Sequence, residues 1–398
     1  MINLNFAPNE NFKDALISFS LIFQPWNWQK PLDLKTKKEI LNRLGLKINS
    51  DFFPFFTGRS AWFHFLKSLN FPPKSEVAIQ GFTCEAVVLP ILTNNLKPIY
   101  VDIENKTYSM DFFDLLKKIT PKTKVILLQH TFGLTPLYRE KILSFAEKNG
   151  LLLAEDLAHG FNQKIFSSTK NGNFLFSFGR SKVFSSVFGG AIVTSDKKIG
   201  KRLKEEEKSL SFPSKITIFK ILFYKPLAVL IKKTYKISLG KLIHYWAKKI
   251  GFLIPEVTEK EKRGFYNFDF DKIYPLVLGK LLLSQLKRKK EIEKKRQVIT
   301  EFYNQSFGLN YQSENGLLRY PLRVKNPEEI KRKLAKKGIF LGTWYNQIVA
   351  PKGVNLKKMK YEPKSCPQAE KICREIINLP TNISLKEAEK IVKLINGN

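Results

Sequence analysis

Between about residues 51 and 200 the chain alternates two hydrophobic patterns. Short runs rich in Val, Ile and Leu occur at VAIQGF (77–82), KPIYVDI (97–103), KVILLQHTF (124–132), LLLAEDLAHG (151–160), FLFSFG (174–179) and GGAIVTSD (189–196). Between the earlier runs lie stretches of helical period, over 86–94, 111–118 and 137–149. Apolar runs of this length between helices predict strands buried on both faces of a parallel sheet. The periodic stretches are then the crossover helices that cover it, giving an α/β fold with a mostly parallel central sheet.

The pattern changes on either side of this block. Residues 1–50 read as a peripheral N-terminal segment, with an aromatic patch from Phe23 to Trp28 followed by a Lys-rich helix. The span 205–262 is basic and apolar together and is broken by Pro226 and Gly240. It reads as an insertion, with two uses open. It could be a helical element packed on the body or on a second subunit, or an amphipathic element lying on an acidic membrane surface with its lysines snorkelling. Residues 271–305 predict one long helix with an apolar stripe. From 311 to 398 a strand–helix–strand–helix order predicts a small α+β C-terminal domain, its last helix capped by Ser384 with Glu387 at the capping-box position. The expected division is therefore 1–50, a large domain over 51–270 and a long helix with the small domain over 271–398.

Composition narrows the function classes. The 398 residues are 43% hydrophobic, enough for a large core and a second small domain. Sixty-eight Lys and Arg against 35 Asp and Glu give +33, which attracts phosphorylated substrates, acidic membranes or nucleic acid. No nucleic-acid-binding motif accompanies the charge, so nucleic acid is not an expected partner. Three cysteines, Cys84, Cys366 and Cys373, with no CxxC, exclude a disulfide framework or a zinc ribbon and fit a reducing compartment; no metal is expected. The N-terminus has no basic-then-apolar leader, and no run reaches about 18 apolar residues, so a cytoplasmic protein is expected, with peripheral membrane contact through 205–262 as the open alternative.

Four segments carry candidate chemistry. TGRSAW (57–62) opens a helix with glycine and small polar residues, which presents free backbone N–H groups to a phosphate; an ordinary helix cap gives the same text. In LLLAEDLAH, Asp156 ends a buried strand with His159 three residues on. A strand-end carboxylate can pair with a protonated heterocycle, or simply cap a turn. In FSFGRSKVF, Ser177 and Lys182 stand five apart just past a strand, and the lysine is either a surface residue or an imine-forming amine. GGAIVTSD begins a strand with two glycines, suited to close backbone approach.

The order of these pieces resembles the DegT-type sugar aminotransferases, a branch of the fold-type I pyridoxal-phosphate (PLP) enzymes. The matching text is TGRSAW, QGFTCEAV, KPIYVDIE, QHTFG, EDLAH, FSFGRSK and GGAIVTSD, with KLAKKGIFLGTWYN and CPQAEKICREIINLPTNISLKEAEKIVKLI in the C-terminal part. The resemblance implies the three-layer PLP-dependent transferase fold and PLP as cofactor. It implies Lys182 as the catalytic imine-forming lysine and Asp156 as the partner of the pyridine nitrogen. Gly58, Arg59, Ser60 and Ser177 would hold the cofactor phosphate, and His159 would approach the ring's hydroxyl side. Cys84 stands where the family places an aromatic against the ring. The family's Asn-containing segment, which completes a neighbouring subunit's site, corresponds only loosely to GFYNFDF around Asn267. Trp344 and Tyr345 fall on its substrate-recognising stretch, with tryptophan in place of histidine. The implied reaction moves an amino group from an amino acid such as glutamate to a nucleotide-linked keto-sugar for surface glycan synthesis, in a homodimer. Lys182 argues against the branch that dehydrates sugars, which carries histidine there. The other reading is a PLP-fold protein with weak or no transamination that acts as a membrane-associated or regulatory component.

Overall fold

The computed structural model describes residues 1–4, 6, 8–46, 50–169 and 172–397. Its strands are β1 (Ile2–Asn3), β2 (Asp51–Phe55), β3 (Glu76–Gln80), β4 (Lys97–Val101), β5 (Thr123–Gln129), β6 (Leu152–Asp156), β7 (Asn173–Ser177), β8 (Gly190–Thr194), β9 (Arg319–Arg323), β10 (Ile339–Phe340) and β11 (Ile376–Pro380). Seven of them form one sheet in the order β2-β8-β7-β6-β5-β3-β4. The five strands from β4 to β7 in that order run parallel, and β8 is antiparallel to both of its neighbours. The parallel strands are buried on both faces, as their unbroken Val, Ile and Leu content requires. All their carboxyl ends open on one edge, where ligands collect in such sheets.

Strand alternation sorts the two acids at the end of β6. Successive side chains point to opposite faces of a sheet. Glu155 therefore goes to one face, where Arg139 grips it through Nε at 2.7 Å and Nη2 at 2.8 Å, and His130 Nε2 lies 2.8 Å from its carboxylate. Asp156 takes the other face. Burial alone would raise the Glu155 carboxyl, but hydrogen bonds from His130 and Arg139 override it and hold the group at about 2.

The stretch 271–305 is two helices, Leu276–Leu286 and Lys289–Phe307. The expected single helix breaks at Lys287 and Arg288, where Arg288 leaves helical geometry (φ −107°, ψ 21°) and its guanidinium bonds the buried Asp14. The apolar stripe runs across the break, which is why periodicity alone reads it as continuous. In 205–262 the helix Lys215–Thr234 packs on the body through Ile218, Ile221, Leu222 and Ile231, all buried. It lies against the N-terminal helix Phe12–Ile22, where Ser18 Oγ donates to the Leu222 carbonyl at 2.6 Å. Lys225 and Glu10 form a fully buried ion pair across this contact, 3.4 Å apart. The following helix, Leu239–Lys249, packs on Lys215–Thr234 but leaves Leu242, Tyr245 and Trp246 exposed.

The first residues are not peripheral. β1 pairs in parallel with β10, and Asn9 reaches the Lys182 and Arg180 carbonyls. A two-residue strand carries too little pattern to announce this. The C-terminal layer is the antiparallel pair β9 and β11 with helices Pro327–Lys336, Pro367–Glu375 and Leu385–Asn396. The last helix carries the Ser384–Glu387 capping box.

Removing one member of the Glu155 cluster strands a buried charge, so Glu155→Gln is expected to lower unfolding free energy by about 3–5 kcal/mol, measured by urea unfolding. Because the folded-state carboxyl lies below its usual 4.5, the cluster's contribution is complete above that pH and is lost as pH falls from 4.5 towards about 2. The difference between the parent and Glu155→Gln should therefore shrink over that range.

Candidate active site

At the carboxyl edge of β6 and β7 a cavity of about 200 Å³ collects residues that are far apart in sequence. Asp156, Ser177, Lys182 and His159 enter from the sheet, Gly58, Arg59 and Cys84 from helix starts, and Trp344 and Tyr345 from the C-terminal layer. Of the residues singled out in the sequence, two do not line it. Ser60 is fully buried, donates its N–H to the capping Thr57 hydroxyl at 3.1 Å, and donates its hydroxyl to Asp271 at 2.5 Å. Asn267 is buried as the cap of a short turn, accepting the Asp269 N–H at 3.2 Å.

One end of the cavity is built for close approach. Thr57 caps the helix Gly58–Leu69, leaving the N–H groups of its first residues without intrahelical partners. A Cβ on Gly58 would come within 3.1 Å of Ser177 Cβ, and one on Gly190 within 2.4 Å of the Gly58 backbone. Only glycines let β8, the helix start and Ser177 meet this tightly, and together they form a cradle of N–H and hydroxyl donors at a helix N-terminus. The Arg59 guanidinium turns aside from the cradle. It bonds the carboxylate of Glu261 and the carbonyl of Glu256, lies 3.9 Å from Glu85, and sits over the Phe270 ring at 5.4 Å.

The loop carrying Lys182 is pinned at several points. Phe178 N–H donates to the Gly189 carbonyl at 2.8 Å, Ser186 N–H to the Phe178 carbonyl at 3.0 Å, and Lys182 N–H to the Gly179 carbonyl at 3.0 Å. Val187 is held at φ +72°, strained for a β-branched residue, with its N–H on Ser185 Oγ at 3.0 Å. Ser185 N–H in turn donates to Gln285 at 2.6 Å, and Tyr274 donates to Ser186 at 2.7 Å. The Lys182 ammonium lies 4.4 Å from the centre of the Trp344 ring. Burial lowers its pKa, with Arg319 adding to the fall and Cys84, Asp156 and Glu256 opposing it.

Burial shifts the other titratable groups of the cavity as well. Asp156 accepts the Ala158 N–H at 2.9 Å, and burial pushes its carboxyl up against the pull of that bond and of Lys182. His159 is stacked on Trp344 (4.7 Å, 18°), and burial, then Lys182 and Arg319, hold its pKa well below the usual value. Its Nδ1 accepts the Phe132 N–H at 3.1 Å, so in the neutral ring Nε2 carries the proton and donates to the Tyr345 hydroxyl at 3.0 Å. Burial raises the Cys84 thiol to about 12 and the Tyr345 phenol well above its usual value.

Three further residues went unnoticed in the sequence. Glu256, from the segment after Leu239–Lys249, brings its carboxylate to 3.2 Å from Ser181 Oγ. Glu85 is fully buried beside Arg59, its carboxyl raised by burial. Arg319, at the start of β9, stacks its guanidinium 3.7 Å from the Trp344 ring centre and is 2% exposed. Their signal lies in tertiary placement. The one local hint was an arginine inside the apolar run GLLRYPLRV.

Known proteins share part of this sequence and all of this fold. A 157-residue segment is 31% identical to UDP-N-acetyl-3-dehydro-alpha-D-glucosamine 3-aminotransferase of Acidithiobacillus ferrooxidans, covering 37% of this chain and 41% of that protein. A 136-residue segment is 35% identical to GDP-perosamine synthase of Escherichia coli O157:H7, covering 33% of this chain and 37% of that protein. The matches thus span about two fifths of these curated relatives. The solved structure of NtdA from Bacillus subtilis with bound cofactor PMP superposes with a TM-score of 0.73 at 17% identity, over 100% of this chain and 85% of that one, which establishes the shared fold. The family model matches residues 56–211 and 277–396, so it takes in the helix-start cradle, Asp156, Lys182 and the C-terminal layer and passes over the helix pair between them. The chain belongs to the DegT/DnrJ/EryC1/StrS aminotransferase family.

Proposed function

We propose that this chain is a PLP-dependent aminotransferase that moves an amino group from an amino acid, glutamate foremost, to a nucleotide-linked keto-sugar destined for surface polysaccharide or a related glycan. One observation carries the reading: Lys182, Asp156 and the Gly58–Ser177 cradle open into a single cavity. The residues fit the cofactor. Gly58 and Ser177 offer donors for its phosphate, Asp156 a carboxylate for its ring nitrogen, and Lys182 an amine for its aldehyde. When bound, the cofactor supplies an electron sink.

The chain's own residues do the rest. Asp156 keeps a ring nitrogen protonated, and that pairing stabilises the carboxylate which burial otherwise disfavours. Lys182, its pKa lowered by burial, has the neutral amine within reach and can take a proton from the substrate carbon and return it. The Trp344 ring lies over the amine. Tyr345 and His159 hold each other in one orientation and shape the substrate side. The expected homodimer is supported by the family's use of a neighbouring subunit; light scattering should give twice the 46.1 kDa of the chain.

A peripheral membrane contact is supported by the surface of Phe12–Ile22 and Leu239–Lys249. Phe12, Leu16, Leu242 and Trp246 are exposed on these helices, and Ile250 just beyond the second one. Lysines flank the rings: Lys233 lies 4.8 Å from the Phe12 ring centre and Lys249 4.8 Å from that of Trp246. That combination suits an acidic lipid surface. Among the described residues no helix is long and apolar enough to cross a membrane.

Purified protein with PLP is expected to absorb near ~410–430 nm, with a shift when glutamate is added. Lys182→Ala should abolish that band and lower turnover by on the order of 10²–10⁴-fold; unchanged turnover would end the reading. Co-sedimentation with vesicles containing acidic lipid should exceed that with neutral vesicles and fade in high salt, and Lys248→Glu with Lys249→Glu should weaken it by about 1 kcal/mol per residue. Equal recovery with neutral vesicles would remove the role of acidic lipid, whereas no recovery with either vesicle, or loss of a dimer in the same variant, would assign this face to protein contact.

A further inference from the structure

A second cavity, of about 270 Å³, lies between the N-terminal segment and the C-terminal layer. Its lining is cationic: Lys232, Lys295, Arg296 and Arg319 face two acids, Glu10 and Glu387. Both acids are already engaged. Glu10 pairs with the buried Lys225, and Glu387 closes the capping box with Ser384. Arg296 and Arg319 are each 2% exposed, and among the described residues neither forms an ion pair with a carboxylate. Arg296 spends Nη1 on the Leu318 carbonyl and Thr381 and Nη2 on Asn9 Oδ1, while Arg319 Nη2 donates to the Leu4 carbonyl. Among the described residues Arg296 Nε and Arg319 Nη1 are buried and find no hydrogen-bond partner.

Two adjacent buried guanidiniums with no carboxylate in ion-pair contact, and only the more distant field of Glu256 on Arg319, are costly. Burial, together with the charge of Arg319, lowers the Arg296 pKa to about 10, and burial lowers that of Arg319 to about 10. An anion entering the cavity would supply the missing charge and acceptors, and planar guanidiniums match phosphate oxygens in particular. Lys295 is exposed at the rim and gives the cavity a cationic mouth. The cavity also adjoins the lysine site: Ser181 lines both, and the Trp344 ring contacts both Arg319 and Lys182.

We propose that this cavity is a binding site for a phosphate or diphosphate group, free or carried on a nucleotide, held by Arg296, Arg319 and Lys295. The site stands on its own geometry; only the assignment of the diphosphate to the keto-sugar substrate rests on the transamination reading.

Calorimetric titration of PLP-saturated protein with inorganic phosphate, pyrophosphate and uridine diphosphate tests it. At least one diphosphate is expected to bind saturably at one site per chain. Lys295→Glu, at an exposed position that leaves folding intact by circular dichroism, should weaken that binding by about tenfold or more, and Lys232→Ala should weaken it too. Saturation of the cradle by PLP keeps the Gly58–Ser177 cradle from contributing. Uridine diphosphate that also competes with the nucleotide-linked substrate marks the group as the substrate's; inorganic phosphate or pyrophosphate that binds without competing marks a free-anion site. No saturable binding of any probe, or binding unaltered in both variants, overturns the proposal. Loss of the ~410–430 nm band with the titration intact would sink the transamination reading and leave the anion site standing.

Discussion

The architecture turns on how one strand disposes of two neighbouring carboxylates. Glu155 and Asp156 are adjacent, and the pleat sends them to opposite faces of the sheet. The acid below is neutralised by a bidentate arginine and a histidine, which makes it a structural anchor between strand and helix. The acid above has only one backbone N–H and the field of Lys182 to support it. A one-residue slip in the β6 register would exchange them and place the already-satisfied pairing in the cavity. The parallel partners on both sides, with Gln129 opposite Asp156, forbid that slip and so fix which acid faces the cavity.

Much of this was legible in the chain. The apolar runs predicted the parallel strands. Asp156, Ser177 and Lys182 were open readings on their own, singled out by the family resemblance, and the fold brings all three to one cavity. Ser60 shows the limit of such reading. It sits in the right motif, yet a hydroxyl one residue further round the helix turns to Asp271. Glu256 and Arg319 show another limit. Each reaches the cavity from an element distant in sequence, and a single charged residue in a Lys-rich chain carries no period to mark it. The break at Lys287 and Arg288 was hidden for a related reason: the apolar stripe continues, and only the long-range bond from Arg288 to Asp14 identifies the interruption.

The segment between the two family-matched stretches is integrated with the body. Its first helix shares a buried lysine–glutamate pair with the N-terminal segment, and its exit places Glu256 beside Ser181 at the mouth of the lysine loop. The N-terminal residues pair with β10 and bond the Lys182 backbone, so the chain's start, its additional helices and its C-terminal layer converge on one loop. A disturbance on the exposed aromatic face of those helices therefore has a contiguous packed route towards the lysine, through Lys215–Thr234 and Glu10.

The hydrogen bonding of His159 has a stereochemical consequence. Its Nδ1 is occupied by a backbone donor and its remaining proton by Tyr345, while the phenol and the Cys84 thiol are held well above neutral. In the proposed reaction Lys182 exchanges the protons, and its loop is tied down on one side. For the proposed reaction, hydrogen then arrives at the amine-bearing carbon from one direction only. The handedness of the new centre is set by which face of the sugar is turned toward that loop, a choice made by the substrate's docking and not by the chemical step.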